Sequence, residues 1–174
     1  MSNLALYTFG VLRGSYDSHE LREFAEAAPT IFGSLLAADG FIDHAGNARI
    51  GLERRPEVGD DFGPWGILAT PGFFEKRHAE AGCSAIQTLS LWRDCQSAKA
   101  FTYGQWHRDA LMRRAEWFVP AKWPGYVLWW VEDHLVPTWS DGIDRLEALA
   151  VDGPTRRAFN FSHTFDQGGR RLSK

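Results

Sequence analysis

Three stretches of this chain are apolar on both of their alternating sides: LALYTFGVL from Leu4 to Leu12, SAIQTLSLW from Ser84 to Trp92, and YVLWWV from Tyr126 to Val131. An extended strand sends successive side chains to opposite faces, so strands of this kind need a sheet that is covered on both sides. Helical spacing separates them. Leu21, Phe24, Ala25, Ala28, Phe32 and Leu35 fall on one face of a helix that Ser18 can cap and that Pro29 should kink or split. Gly40-Phe41-Ile42 starts a short strand, Asp94 to Phe118 reads as a helix broken near Gly104, and Trp139 to Ala150 as a C-terminal helix capped by Thr138 or Ser140. The order strand–helix–strand–excursion–strand–helix–strand–helix is an α+β pattern of the split βαβ type. Helices arranged in that order cover one face. The sequence therefore predicts that a second subunit covers the other, making a homodimer.

A chain of 174 residues suits one domain, placed at residues 1–165, with GGRRLSK ending a flexible tail over 166–174. From about residue 53 to 83, Pro56, Gly59, Gly63, Pro64, Gly66, Pro71 and Gly72 punctuate an irregular excursion. Its Trp65, Phe73 and Phe74 argue for a packed lid. Eight Trp and twelve Phe supply broad flat surfaces for a core, an interface or an apolar pocket. A net charge of −3 gives no reason to expect nucleic acid or an anionic membrane as a partner. No stretch approaches the roughly 20 apolar residues of a membrane span. The N-terminus lacks a secretory pattern, and Cys83 and Cys95 form no ligand motif, so the expected setting is the cytoplasm with free thiols.

The candidate chemistry lies on the helix after Asp94. Gly104, His107, Leu111, Ala115 and Phe118 share a stripe that points toward the sheet, and Tyr103, Trp106, Ala110, Arg113 and Trp117 form its neighbour. One helix could thus offer a histidine, a phenol, an indole and a guanidinium to one cleft. A sheet-facing His107 has three readings: a core residue bonded to a backbone carbonyl, a general base, or an axial ligand to a metal or haem. Arg113 and Arg114 with Glu116 either hold an anionic group or form ion pairs on a solvated helix face. Trp129 and Trp130 lie on opposite faces, one for the core and one for an interface or pocket. Glu132 and His134 make two potential metal ligands without a third. Tyr7, Phe9, Ile86, Thr88 and Trp92 are candidate pocket walls, with ordinary core as the alternative. His107-Arg108-Asp109 spells a kinase tripeptide, but the glycine loop and Asp-Phe-Gly are missing, as are nucleophile-elbow, P-loop and zinc-peptidase motifs.

TLSLWRDCQSAKAFTYGQWHRDALMRRAEWF and WPGYVLWWVEDHLVPTWSDGIDRLEALAVDGPTRRAFNF carry a family resemblance. Serine–aliphatic–Trp at Ser90 to Trp92, Phe101 and Tyr103, His107, Arg113 or Arg114 with Trp117 and Phe118, Leu128 to Val131, and Gly153 to Phe159 resemble the domain-of-unknown-function family 3291. The resemblance implies a ferredoxin-like dimeric α/β barrel, here with a C-terminal helical extension. The family is similar to spheroidene monooxygenase, a haem-dependent carotenoid oxygenase, and to antibiotic-biosynthesis-monooxygenase-like proteins. Leu135-Val136-Pro137 stands where relatives often carry Gly-His-Xaa-Pro, so a second histidine role does not transfer to that position, and His134 is the neighbouring histidine that could substitute.

The expectation is an oxygenase-like or related tailoring enzyme acting on a lipophilic small molecule, either with haem or with no cofactor. His107 would be the acid/base or axial ligand, Tyr103 would orient a substrate oxygen, and Trp92, Trp106, Arg113, Arg114, Trp117 and Trp130 would bind substrate. Two alternatives stand beside it: a cofactor-free cyclase, isomerase or dehydratase using His107, and a non-catalytic ligand-binding dimer.

Overall fold

Four strands form one antiparallel sheet: β1 (Ser2–Val11), β2 (Phe41–His44), β3 (Ala85–Trp92) and β4 (Tyr126–Glu132), in the order β2-β3-β1-β4. The computed structural model describes residues 2–46, 55–104, 108 and 111–172. Helix α1 (Arg22–Leu35) links β1 to β2, and α2 (Lys76–Glu80) lies in the excursion before β3. Helices α3 (Cys95–Thr102) and α4 (Arg114–Trp117) connect β3 to β4, and α5 (Trp139–Asp152) follows the sheet. Among the described residues no helix is long and apolar enough to cross a membrane.

β1 runs through the middle, so its alternation fixes both faces. Its odd-numbered side chains Ala5, Tyr7, Phe9 and Val11 join Leu89, Leu91, Val127, Trp129 and Val131 in one cluster. That face is covered by the chain itself. Trp139, Leu146 and Leu149 of α5 pack there, and so do Phe62, Trp65 and Leu68 of the excursion. Polar contacts hold this cover in place. The Tyr7 hydroxyl donates to Gln87 Oε1 at 2.5 Å, Gln87 Nε2 donates to the Ala69 carbonyl at 2.9 Å, and Gly72 N donates to Glu147 Oε1 at 2.7 Å. The premise behind the homodimer expectation, a face that the chain's own elements cannot reach, therefore does not hold. The short 3-10 turn Gly63–Trp65 and the Asp61–Ile67 bridge fold the excursion into a plug, and an extended segment of such length would not have presented its aromatics to one surface.

Other local expectations shift for physical reasons. α1 runs unbroken across Pro29, which lies on the exposed side, where water can serve the carbonyl that loses its amide partner. Ser18 precedes a 3-10 turn, His19–Leu21, without a side-chain cap bond, and α1 begins after Leu21. α3 is capped by Asp94, whose Oδ1 accepts from Ser97 N at 2.7 Å, and it stops at Thr102. The stretch from Asp166 to Leu172, read from sequence as a flexible tail, is tied down. Trp130 Nε1 donates to the Phe165 carbonyl at 2.7 Å, Gln167 Nε2 donates to the Ser2 carbonyl at 3.1 Å, and Phe165 bridges Arg171.

α5 approaches β1 closely because position 142 is glycine: a Cβ there would lie 2.6 Å from Tyr7 Cγ. Propensity alone would reward Gly142→Ala by about 1 kcal/mol. Collision with a fully buried ring costs more, so urea denaturation should show the variant destabilised by roughly 1–2 kcal/mol. A stabilised variant would mean that α5 does not rest on Tyr7.

The same helix starts with a capping box between Thr138 and Asp141. Burial would raise the Asp141 pKa, but bonds from the Thr138 amide and hydroxyl, together with Arg145, outweigh it and hold the carboxyl below its ordinary 3.8. A depressed folded pKa contributes stability above the ordinary value and loses it as pH falls through the folded one. Thermal melts of Asp141→Asn should be less stable near neutrality than the native chain and fall less steeply below about pH 4.

Candidate functional site

The other face of the sheet, which α1 and α3 cover, is built from the even-numbered side chains of β1, and it is not apolar throughout. At one end Leu4 and Leu6 pack with Trp92, Leu128, Ala98 of α3, Leu35 of α1, and Phe159 and Phe161 from the C-terminal segment. At the other end Leu12, Leu21 and Trp117 pack with Phe24, Ile86 and Phe118, and the Phe118 ring fills the space over Gly10. Between these clusters lies a band of hydroxyls. Thr8 and Thr88 face each other across the β1–β3 pair, half-buried, with their Oγ1 atoms 2.6 Å apart. Tyr126 sits opposite Thr8 on the β4 side, also half-buried.

The chemistry of the band follows from counting protons. In the Thr8–Thr88 pair one hydroxyl donates and the other accepts. The acceptor's own proton has no other partner among the described residues. The Tyr126 hydroxyl accepts from Phe161 N at 3.3 Å and is hydrogen-bonded to the Tyr103 phenol. Burial, and then the bond with Tyr103, push the Tyr126 pKa well above the ordinary phenol value of 10.0, so it is a neutral hydrogen-bonding group at physiological pH. This face thus carries a threonine hydroxyl pair and a neutral phenol, with aromatic rings on either side.

Tyr103, a candidate from sequence, stands at this site. It ends α3 half-exposed, with its ring 5.8 Å from Phe161, whose ring is 5.2 Å from Tyr126. His107 and Trp106 lie outside the described residues. Trp92 is fully buried and has no surface for a ligand; its Nε1 donates to Ser90 Oγ at 2.9 Å and its ring lies 5.1 Å from Phe101. Trp117 is buried against Phe24, 5.4 Å away, with the Arg113 guanidinium 4.7 Å from its ring centre. Arg113 is paired with Glu23 and, at 2.8 Å, with Glu116, and these carboxylates raise its pKa further. Arg114 is exposed on α4. Trp130 is half-buried on the hydroxyl side, whereas Trp129 joins the core on the opposite face.

Of the proposed pocket walls, Ile86 and Thr88 share the hydroxyl face, while Tyr7 and Phe9 belong to the opposite one, as strand alternation requires. Glu132 and His134 are exposed, 3.6 Å apart at the strand end. Thr8 and Tyr126 were not identified from sequence. Their signal was a hydroxyl within an apolar strand, and it becomes legible only once the register sets Thr8 against Thr88.

A family model described as Domain of unknown function (DUF3291) matches residues 3–174. The chain belongs to this family. No curated protein and no solved structure matches it. In this DUF3291 chain the residues that carry the family resemblance are largely structural. Ser90 and Trp92 bond to each other. Phe101 rests on Trp92. Phe159 exchanges two backbone hydrogen bonds with Leu128, at 2.8 and 2.9 Å, which extends the sheet beyond β4. Tyr103 is the exception, since its phenol reaches the hydroxyl band.

A buried neutral phenol makes alkaline stability a test. The folded state keeps the Tyr126 proton at pH values where the unfolded chain releases it, so stability declines as pH rises above 10.0 and continues to fall up to the folded pKa. The denaturant midpoint of Tyr126→Phe should fall less steeply over that range than that of the native chain; parallel slopes would show Tyr126 to be solvated.

Proposed function

We propose that this chain is a tailoring enzyme for a lipophilic small molecule, oxygenase-like in its substrate, that works on the helix side of its sheet at the Thr8–Thr88–Tyr126 band. One observation carries the reading: paired, half-buried hydroxyls interrupt an otherwise apolar face at its centre, between two aromatic clusters. Small-molecule sites have this composition, mostly apolar walls with few placed polar groups. The strand order β2-β3-β1-β4, with α1 and α3 over this face, supports a ferredoxin-like topology. This site is built within one chain, and α5 and the excursion occupy the face that a barrel-forming partner would need.

The substrate that fits is flat and apolar with one hydroxyl, enol or carbonyl oxygen. The threonine hydroxyls and the Tyr103–Tyr126 pair hold that oxygen, and His107, between Gly104 and Leu111 in the chain, moves the proton. The hydroxyl band itself, Thr8, Thr88 and the neutral phenol of Tyr126, offers no imidazole or thiolate to a haem iron. The reaction is therefore derived from the chain's own acid–base groups, as in the cofactor-free alternative, whether or not oxygen is the co-substrate.

2-Naphthol tests this, because its emission reports both binding and proton transfer to a neighbouring base. It should bind saturably, and Thr8→Val with Thr88→Val should weaken binding about tenfold, the worth of one hydrogen bond at a desolvated oxygen. Replacing both partners by apolar groups of similar shape should leave the fold intact. His107→Ala should retain the probe but shift its emission from naphtholate to neutral naphthol. Unchanged affinity in the double valine variant would place the site elsewhere. Naphtholate emission in His107→Ala would remove the histidine from the reaction and leave a binding protein.

A further inference from the structure

A second site lies at the β4 edge, where α5, the 153–157 turn and the C-terminal turn line an open cavity of about 260 Å³. Its charged lining is three guanidiniums, Arg145, Arg156 and Arg157, against one carboxylate, Asp166. The carboxylate is already engaged, since its Oδ1 accepts from Arg170 N at 2.8 Å and its Oδ2 lies 3.4 Å from Arg170 Nε. Neither Arg156 nor Arg157 has a side-chain ion-pair partner among the described residues. Arg145 is held firmly, its Nη1 donating to Asp141 Oδ1 at 2.8 Å and its guanidinium carbon 5.0 Å from the centre of the Trp129 ring. Its Nε is nevertheless buried with no acceptor. Arg156 and Arg157 are exposed, so three guanidiniums line one cleft whose single carboxylate is already engaged, a setting that favours an anion.

The wall is also shaped for the arginines. Gly169 has φ +83°, a conformation other residues rarely adopt, and a Cβ there would stand 3.0 Å from Arg156 Cδ. The glycine thus lets the turn lie flat along the Arg156 arm. The turn itself is fixed to the sheet by the bond from Trp130 Nε1 to the Phe165 carbonyl. All this occurs in a chain whose net charge is −3, so the local positive charge runs against the whole.

We propose that this cavity binds a small organic or inorganic oxyanion, a carboxylate or phosphate group, gripped by the guanidiniums of Arg156, Arg157 and Arg145. The volume suits a small molecule, and the overall negative charge disfavours a polyanion. The site does not depend on the reading of the hydroxyl band.

The test is a titration of the intact chain with inorganic phosphate and, separately, with malonate at low ionic strength, followed by the amide signals of Gly168 and Gly169 and the indole signal of Trp130. Saturable shifts at these signals are expected with at least one probe, and the tighter probe identifies the phosphate or the carboxylate class. Arg156→Gln with Arg157→Gln, both exposed and outside the core, should weaken that binding about tenfold or more. Arg22→Gln, on exposed α1, should leave it unchanged. Shifts that never saturate with either probe, equal affinity in the double variant, or an equal loss in Arg22→Gln would each overturn the proposal.

Discussion

The structure depends on covering both sides of β1. The odd-numbered side chains of this strand join one cluster and the even-numbered face packs into two others on either side of Thr8, so neither face can be left to water without exposing rings such as Tyr7, Phe9 or Trp92. The chain meets this demand asymmetrically. One face takes α5 and the aromatic plug of the excursion, sealed by the Tyr7–Gln87–Ala69 chain of hydrogen bonds. The other takes α1, α3 and the segment around Phe159, which leaves the hydroxyls of Thr8, Thr88 and Tyr126 at its middle.

That asymmetry separates the two roles of the sheet. The sealed face is structural, and Tyr7, Gln87 and Glu147 use polar atoms to anchor the cover. The hydroxyl face carries polar groups at its centre, Thr8 and Thr88 hydrogen-bonded to each other across the strands, with Tyr126 opposite Thr8. Placing such groups on β1 and β3, flanked by packed clusters, sets their position within the rigid part of the fold. The basic cavity follows a different logic, using the long arms of arginines set by a turn and by the Trp129 ring, at the margin of the sheet.

Much of the architecture was legible in the sequence because alternation and helical spacing are local signals. The four strands, the helix break expected near Gly104 and the Thr138 cap follow from residues close together in the chain. The cover of the second face was not legible. Trp65, Phe73 and Phe74 announced a packed excursion, but Phe62 and Leu68 have no periodic relation to them, and nothing local tells which surface the plug meets. Of the site, Tyr103 and Thr88 were named from sequence, whereas Thr8 and Tyr126 needed the strand register. Arg156 and Arg157 entered only as part of a turn that carries the family resemblance, since their nearness to Arg145 is a long-range fact.

The central claim, that one chain covers both faces of β1, is tested most directly by amide hydrogen exchange across Leu4 to Val11 over a wide range of protein concentration. The account predicts slow exchange in this strand, at the level of global unfolding, that does not change on dilution. Protection that falls as the protein is diluted would show that a second copy covers the sheet, and would contradict it.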